Sequence, residues 1–279
     1  MNIKEVRKTV GKLKARLFKK ANSHTIGMLK TQFKGTGLQF KEHQVYNFGD
    51  DVRFIDWKLL AKTNNPYVKT FNEERNVEIV VVIDLSPSML MGHQGKSKLE
   101  VAIELACLLY LTAHESHDYV HIILMGKDLV HIPKKSGEEG ISLLISQLEK
   151  LNVLNQFGKI NYTYFENIKN DKDKNYKALL KHLHYKREVV IFSDFMDLVD
   201  LESLKKMSLR SHVNCVQLIA PFDEADAQPF SFLSRSELGS FFGQYQFESQ
   251  SLVEKSLGKK IKKIRIKEKY LDQFIKNMV

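Results

Sequence analysis

The segment Val77–Gly92, VEIVVVIDLSPSMLMG, combines a buried-strand pattern with a polar loop. Its first half is a β-branched apolar run without polar alternation, which is typical of a strand covered on both faces of a parallel sheet. Asp84, Ser86 and Ser88 follow at alternate positions, and Pro87 keeps the segment in a loop. Carboxylate and hydroxyl oxygens are ligands that Mg²⁺ prefers, and open α/β sheets bind ligands at the carboxyl ends of their strands. The segment therefore predicts a central strand followed by a candidate cation-binding loop.

The spacing of these polar residues is similar to a known metal motif. Asp-x-Ser-x-Ser after a buried strand resembles the first motif of the metal-ion-dependent adhesion site of von Willebrand factor A domains. The alternative is a strand that ends in a capping turn, because Asp, Ser and Pro are common turn formers.

A second run, EVVIFSDF at residues 188–195, repeats the pattern and ends in Ser193-Asp194. Neighbouring parallel strands bring such ends together, so we expect Asp194 to lie beside the first loop. The alternative is that Ser193-Asp194 caps the next helix. The resemblance likewise implies that Asp194 is the second carboxylate, that Thr163 supplies a further hydroxyl, and that the cofactor is Mg²⁺ or Mn²⁺. Thr163 also fits a helix N-cap.

A longer resemblance lies upstream of the metal loop. The string Gly49-Asp50-Asp51-Val52-Arg53-x-Ile55-Asp56-Trp57-Lys58 resembles the signature of the domain of unknown function fifty-eight family, in which this block precedes a von Willebrand A-like domain. The resemblance runs from about residue 25 to about residue 240. It implies a non-enzymatic, cation-assisted protein-interaction module that accompanies a MoxR-type AAA+ ATPase in protein assembly or maturation. The motif residues with a candidate role are Gly49, Asp50, Asp51, Arg53, Asp56 and Trp57.

The density of charge around the single tryptophan predicts a polar network, because such groups need partners when they are buried. Our hypothesis is that Asp56 and Trp57 belong to a buried or half-buried network that fixes the N-terminal region onto the sheet, with Asp50 and Asp51 more exposed. The alternative is a partner-binding face with Trp57 as its anchor.

The composition is that of a soluble globular protein, with 279 residues, 43% hydrophobic and 27% charged. Cys107 and Cys215 stand in apolar runs and are typical of reduced core residues in a cytosolic protein. No segment approaches the ~18 apolar residues of a membrane span. We therefore expect a cytoplasmic protein, peripheral to the inner membrane if its basic ends bind lipid.

The net charge of +10 is concentrated at the two ends of the chain. Residues 1–20 and residues 255–269 each hold eight Lys or Arg and one Glu, so the remainder is mildly acidic. Residues 2–20 have the periodicity of an amphipathic helix, which either packs on its own domain or contacts anionic lipid or a partner. Nucleic-acid binding through these ends is a competing but less favoured hypothesis.

The predicted fold class is α/β, von Willebrand A-like, with a mostly parallel sheet and helices on both faces. We expect an N-terminal region at 1–75, the α/β domain at 76–222, and loops, a hairpin and a basic tail at 223–279 packed on it. The enzymatic alternative is a phosphohydrolase of the haloacid dehalogenase type. That chemistry uses a second carboxylate as general acid, and Ser86 stands at its position. The chain has no Gly-x-x-x-x-Gly-Lys phosphate loop.

Overall fold

The computed structural model describes residues 37–74, 78–166, 168, 171–183, 187–224, 230–236, 239–245, 260–266 and 269–278. The chain divides into two compact units, with residues 33–77 in one and residues from 78 onward in the other. We call the first the small unit and the second the sheet unit. The predicted amphipathic helix at 2–20 lies outside the described residues.

The small unit is a β-hairpin that encloses a short helix. Strand β1 (Gly37–Val45) pairs antiparallel with β2 (Tyr67–Glu74). Between them lie a 3₁₀ turn at Val52–Phe54 and helix α1 (Trp57–Thr63). The unit therefore consists mainly of the family-motif segment held between two paired strands.

The sheet unit contains the remaining strands and helices. Its strands are β3 (Glu78–Asp84), β4 (Gly92–His93), β5 (Lys96–Ser97), β6 (Tyr119–Met125), β7 (Leu129–Lys135), β8 (Glu188–Ser193), β9 (Val213–Ile219), β10 (Phe230–Ser236), β11 (Gly239–Tyr245) and β12 (Lys262–Arg265). Its helices are α2 (Lys98–Glu115), α3 (Gly137–Lys150), α4 (Lys172–Leu180), α5 (Leu201–Ser208) and α6 (Tyr270–Met278).

Six of these strands form the central sheet in the order β12-β9-β8-β3-β6-β7. The first five run parallel to their neighbours, and β7 pairs antiparallel with β6. The basic tail thus supplies an edge strand of the sheet, while β10 and β11 form a separate antiparallel hairpin. The mixed α/β fold class with a mostly parallel sheet is confirmed.

Strand β3 is central because its side chains are apolar on both faces. Val80, Val81, Val82 and Ile83 are completely buried. On one face, Val80 and Val82 belong to an apolar cluster that includes α4 and α5. Helix α2 packs on β3, β6 and α3. Each apolar face of the sheet is therefore covered by helices, as the absence of polar alternation predicts.

The chain order places a crevice at the end of β3. The chain passes from β3 to β6 on one side and later returns to β8 on the other side of β3. This reversal is a topological switch point, where open α/β sheets leave room at the carboxyl ends of the strands. Asp84 ends β3 and Ser193 ends β8, so the two predicted polar loops meet there.

A buried polar contact fixes the last helix onto the sheet unit. The ammonium of Lys96 lies 2.6 Å from Oε2 of Glu104 and 2.5 Å from the hydroxyl of Tyr270. The Tyr270 hydroxyl also donates to Glu104. Because Tyr270 begins α6, this contact ties the C-terminal helix to α2. In the ranges described, no helix has both the length and the apolar character needed to cross a membrane.

Three histidines cluster on the sheet. The ring centroids of His121, His131 and His182 lie 5.0–5.9 Å apart. Burial and the two neighbouring rings lower the pKa of His121 to about 4, and Arg187 acts in the same direction while Glu78 opposes it. His121 is therefore neutral in the folded protein at neutral pH.

This depressed pKa predicts acid sensitivity. Between pH 6.5, the ordinary His value, and about 4, the unfolded chain binds a proton that folded His121 does not, so stability falls as pH falls. We expect His121→Gln to flatten the slope of unfolding free energy against pH in this window by up to about one proton. Denaturant unfolding at a series of pH values measures this, with His93→Gln as the control. An unchanged slope for His121→Gln would contradict the prediction.

Candidate functional site

Asp84 joins the ends of β3 and β8. Its Oδ1 accepts a hydrogen bond from the Ser86 backbone N–H at 2.9 Å, and its Oδ2 accepts one from the Ser193 hydroxyl at 2.5 Å. Both serines and Asp84 are completely buried. The first contact shapes the loop after β3, and the second holds the two strand ends together.

The hydroxyls of the loop continue this network to the second carboxylate. The Ser86 and Ser88 Oγ atoms lie 3.0 Å apart, and the Ser88 hydroxyl donates to Oδ1 of Asp194 at 3.0 Å. The Met196 backbone N–H donates to the same oxygen at 3.1 Å. Asp84, Ser86, Ser88 and Asp194 therefore lie in one connected cluster, which we call the oxygen cluster.

A buried lysine completes the oxygen cluster. Lys98, the first residue of α2, is completely buried, and its Nζ lies 2.9 Å from Oδ2 of Asp194 and 2.9 Å from Oδ2 of Asp223. Asp223 also accepts a hydrogen bond from the Ala220 backbone N–H at 2.7 Å, after the end of β9. The ammonium thus links the ends of two strands through two carboxylates.

Burial and neighbouring charges shift the pKa values of Asp84 and Lys98. Burial, and then the charge of Asp194, raise the pKa of Asp84 to about 7. Burial alone would lower the pKa of Lys98, but Asp194 and Asp223 outweigh it and raise that pKa. The lysine is therefore charged, and Asp84 is the carboxylate that lacks a cationic partner among the contacts described for it.

Gln217 adds a further polar group beside the cluster. It is completely buried on β9, and its Nε2 lies 3.5 Å from the backbone oxygen of Asp194. Its Oε1 is buried and has no hydrogen-bond partner among the described residues. Over the same ranges, no three carboxylate, imidazole or thiolate groups form a metal centre by themselves. Any cation here would depend on the serine hydroxyls as well as on the carboxylates.

The described hydrogen bonds of Thr163 do not join it to the oxygen cluster. It is exposed on a 3₁₀ turn at Tyr162–Phe165, and its hydroxyl donates to Oδ1 of Asn161 at 2.7 Å. It lines a cavity of about 470 Å³ together with Lys127, Asp128, Lys150, Leu151, Asn152, Asn161 and Tyr164. None of the four cluster residues lines this cavity. The structure therefore brings Asp84, Ser86, Ser88 and Asp194 into one hydrogen-bonded cluster, whereas the described side-chain hydrogen bond of Thr163 goes to Asn161.

The first part of the family motif forms exposed turns in the small unit. Gly49 has a φ of +109°, which a residue with a side chain rarely adopts. Asp50 accepts a hydrogen bond from the Asn47 backbone N–H at 2.8 Å. Arg53 pairs with Asp51 at 2.6 Å, and this hydrogen bond lowers the pKa of Asp51 to about 2. Asp50 and Asp51 are exposed, as expected.

Asp56 and Trp57, although adjacent, have different environments. Asp56 caps α1, accepting from the Lys58 and Leu59 N–H groups, and its Oδ2 lies 3.0 Å from His43 and 3.2 Å from Lys69. These contacts, the His43 hydrogen bond first, lower its pKa. Trp57 is 65% exposed, so the hypothesis that its indole is buried in the network is wrong. Asp56 turns inward as the cap, while Trp57 begins a helix that has no buried residue.

Comparison with known proteins identifies the family. Residues 42–227 match the family described as "Protein of unknown function DUF58". The chain belongs to this family. The matched range includes the whole motif block from Gly49 to Lys58 and the whole oxygen cluster, and it confirms the resemblance inferred from the motif block.

Two relatives of this DUF58 chain come from Mycobacterium species. Uncharacterized protein Mb1516 of Mycobacterium bovis and Uncharacterized protein Rv1480 of Mycobacterium tuberculosis are each 22% identical over 191 residues, covering 68% of this chain and 57% of the relative. The chain therefore spans little more than half the length of these relatives.

Similar solved structures come from two Bacteroides species. BatB from Bacteroides thetaiotaomicron has a TM-score of 0.45 and 15% identity, with 72% of this chain and 95% of that chain covered. An aerotolerance-related membrane protein from Bacteroides fragilis has a TM-score of 0.39 and 18% identity, with 71% and 95% covered.

Sequence reasoning missed the charged partners in this DUF58 fold. Lys98 and Glu104 both lie in α2 and are buried, although lysine and glutamate side chains are usually exposed. The available signal was the helix itself: α2 is apolar almost all round, so a charged residue within it needs a buried partner. The partners Asp223 and Tyr270 lie far away in sequence, and spacing alone does not identify them.

The different environments of Asp56 and Trp57 give a test of the small unit. We expect Asp56→Ala to lower the melting temperature by several degrees, because it removes the cap of α1 and the contacts with His43 and Lys69. Trp57→Ala should melt close to the parent, because the indole is largely exposed. Circular dichroism melts of both variants measure this. A larger loss for Trp57→Ala than for Asp56→Ala would show that the indole stabilises the fold.

Proposed function

We propose that this DUF58 protein is a non-enzymatic protein-interaction module whose partner docks on the small unit. One observation carries the proposal: five large apolar side chains between residues 45 and 57 are exposed, namely Val45, Phe48, Val52, Phe54 and Trp57. Phe48 is fully exposed and Trp57 is 65% exposed. Large apolar groups concentrated on a surface mark interaction sites, and tryptophan is enriched among the residues that dominate binding energy.

Folding alone does not account for this arrangement. In the sheet unit, the apolar residues of β3 and β8 are buried on both faces. In the small unit, the motif segment is held by polar contacts of Asp51, Asp56 and Thr63 with nearby backbone groups, while its aromatic residues face outward. A segment whose turns are held by polar residues and whose large apolar side chains are exposed supports a docking role.

We further propose that the oxygen cluster binds a divalent cation such as Mg²⁺ or Mn²⁺, which assists partner binding. Ser86 Oγ, Ser88 Oγ and Asp194 Oδ1 follow one another at 3.0 Å. Adjacent ligands of an octahedral Mg²⁺ ion, at 2.0–2.1 Å from the metal, are separated by about 2.9 Å. The donor set is all oxygen and its spacing fits. Asp84, Ser86, Ser88 and Asp194 would hold the ion, which would offer a charged contact point to an oxygen group of the partner.

The partner we propose is a MoxR-type AAA+ ATPase in the cytoplasm, with the DUF58 chain in an accessory role in assembly or maturation. The resemblance of the motif block to the family supports this choice. The phosphohydrolase alternative requires a second acid at position 86. Ser86 stands there, with its hydroxyl on Ser88, and a serine hydroxyl does not protonate a leaving group near neutral pH.

The proposed metal site predicts that substitutions within the oxygen cluster weaken Mg²⁺ binding more than a substitution at Thr163. We expect Asp84→Ala and Ser88→Ala to weaken Mg²⁺ binding about tenfold or more, because each removes an oxygen of the cluster. Thr163→Val should weaken it much less, because the Thr163 hydroxyl is directed to Asn161. Titration calorimetry with MgCl₂ measures these affinities. Equal Mg²⁺ binding by the parent and Asp84→Ala would refute the metal site.

The proposed docking surface predicts that substitutions in the small unit, and not the control in the sheet unit, weaken partner binding. We expect Trp57→Ala and Phe48→Ala each to weaken binding of a purified MoxR-type ATPase by more than about tenfold, with unchanged melting temperature. The matched control is Phe157→Ala in the sheet unit, since Phe157 is an exposed aromatic of similar accessibility at 72%. Surface-immobilised binding assays measure the affinities. A Phe157→Ala loss equal to that of Trp57→Ala would place the docking surface elsewhere.

A further inference from the structure

The position of Lys98 is unusual for a site that is expected to take its positive charge from a metal. Its ammonium has no solvent exposure, and neither has the carboxylate of Asp194 or of Asp223. Moving a charged group out of water is costly unless a close opposite charge compensates it. The described contacts provide that compensation within the chain, through two ion pairs at 2.9 Å.

Lys98 occupies the side of Asp194 that the serines leave open. The ammonium contacts Oδ2 of Asp194, whereas the Ser88 hydroxyl contacts Oδ1. Asp223 holds the ammonium from its other side and is itself fixed by the Ala220 backbone N–H. The two oxygens of Asp194 therefore have separate partners, one a fixed cation and one the hydroxyl chain that leads to Ser86.

We propose that Lys98 is a built-in cation of the oxygen cluster, which keeps Asp194 in place without metal and thereby makes divalent-cation binding weak and reversible. A site in which one carboxylate already has a cationic partner gains less from a metal than one in which both carboxylates are without such a partner. A second positive charge close to the ammonium is also repelled by it. The metal then acts as a regulatory ligand of a preformed site. The claim that cation binding is weak and reversible rests on the proposed metal binding. The claim that Lys98 holds Asp194 in place does not.

Removing the ammonium should convert the preformed site into a metal-dependent one. Lys98→Met keeps a long unbranched side chain and removes the positive charge that lies 2.9 Å from both Asp194 and Asp223. In EDTA we expect the parent to melt within a few degrees of its temperature in MgCl₂. We expect Lys98→Met to melt much lower in EDTA, to recover with MgCl₂, and to bind Mg²⁺ about tenfold or more tightly than the parent.

The chain offers a matched control two residues away. Lys96 also forms a largely buried ion pair, but with Glu104 and Tyr270 instead of Asp194. Lys96→Met should lose stability equally in EDTA and in MgCl₂, with Mg²⁺ affinity as in the parent. Should Lys98→Met not fold, Lys98→Met combined with Asp223→Asn removes one positive and one negative charge together and is expected to show the same gain in Mg²⁺ affinity.

Thermal melts in EDTA and in MgCl₂, with titration calorimetry of MgCl₂, decide the inference. A gain of metal dependence in the Lys98 variants and not in Lys96→Met supports it. The same response to MgCl₂ in the Lys98 variants and in the parent overturns it, as does a parent that unfolds in EDTA. The effect of Trp57→Ala on partner affinity is independent of these results, because that assay measures docking on the small unit and not the response to Mg²⁺. The two proposals can therefore fail separately.

Discussion

The burial of charge at the carboxyl ends of β3 and β8 is the constraint on which the rest of the sheet unit depends. Asp84 and Asp194 have no solvent exposure, and an uncompensated carboxylate in that position would be strongly destabilising. The two carboxylates are stabilised by different contacts. Asp84 accepts hydrogen bonds from Ser86 and Ser193 and has a raised pKa, whereas Asp194 is paired with Lys98. These contacts close the loop after β3 and join the two strands at their ends.

The two units of the chain use apolar and polar residues in opposite ways. In the sheet unit, apolar residues form the core, and the buried carboxylates of Asp84, Asp194 and Asp223 lie at the carboxyl ends of neighbouring strands. In the small unit, polar groups such as Asp51 and Asp56 define the turns and the helix cap, and large apolar side chains remain exposed. The hydrophobic effect favours burial of those side chains on association. A buried sheet unit together with a motif segment that exposes aromatic residues is consistent with the proposed binding module.

Much of this arrangement could be predicted from the sequence. The apolar run before Asp84 predicts β3, and the parallel geometry of its neighbours predicts that Asp84 and Asp194 meet, because register in a parallel sheet aligns strand ends. The environment of Trp57 could not be predicted from charge density, since capping by Asp56 orders the segment without covering the indole. Lys98 and Asp223 were not predicted, because their contact joins positions 125 residues apart with no periodic pattern to indicate it.

The short stretch from Lys96 to Lys98 explains how distant parts of the chain are coupled at the oxygen cluster. Lys96 begins β5 in the hairpin formed by β4 and β5, and it reaches Glu104 on α2 and Tyr270 on α6. Ser97 caps α2 through a reciprocal contact with Glu100, and this fixes the direction in which the helix starts. Lys98 then reaches Asp194 and Asp223, after β8 and β9. Three consecutive residues thus connect the loop after β3 to two other strand ends and to the last helix.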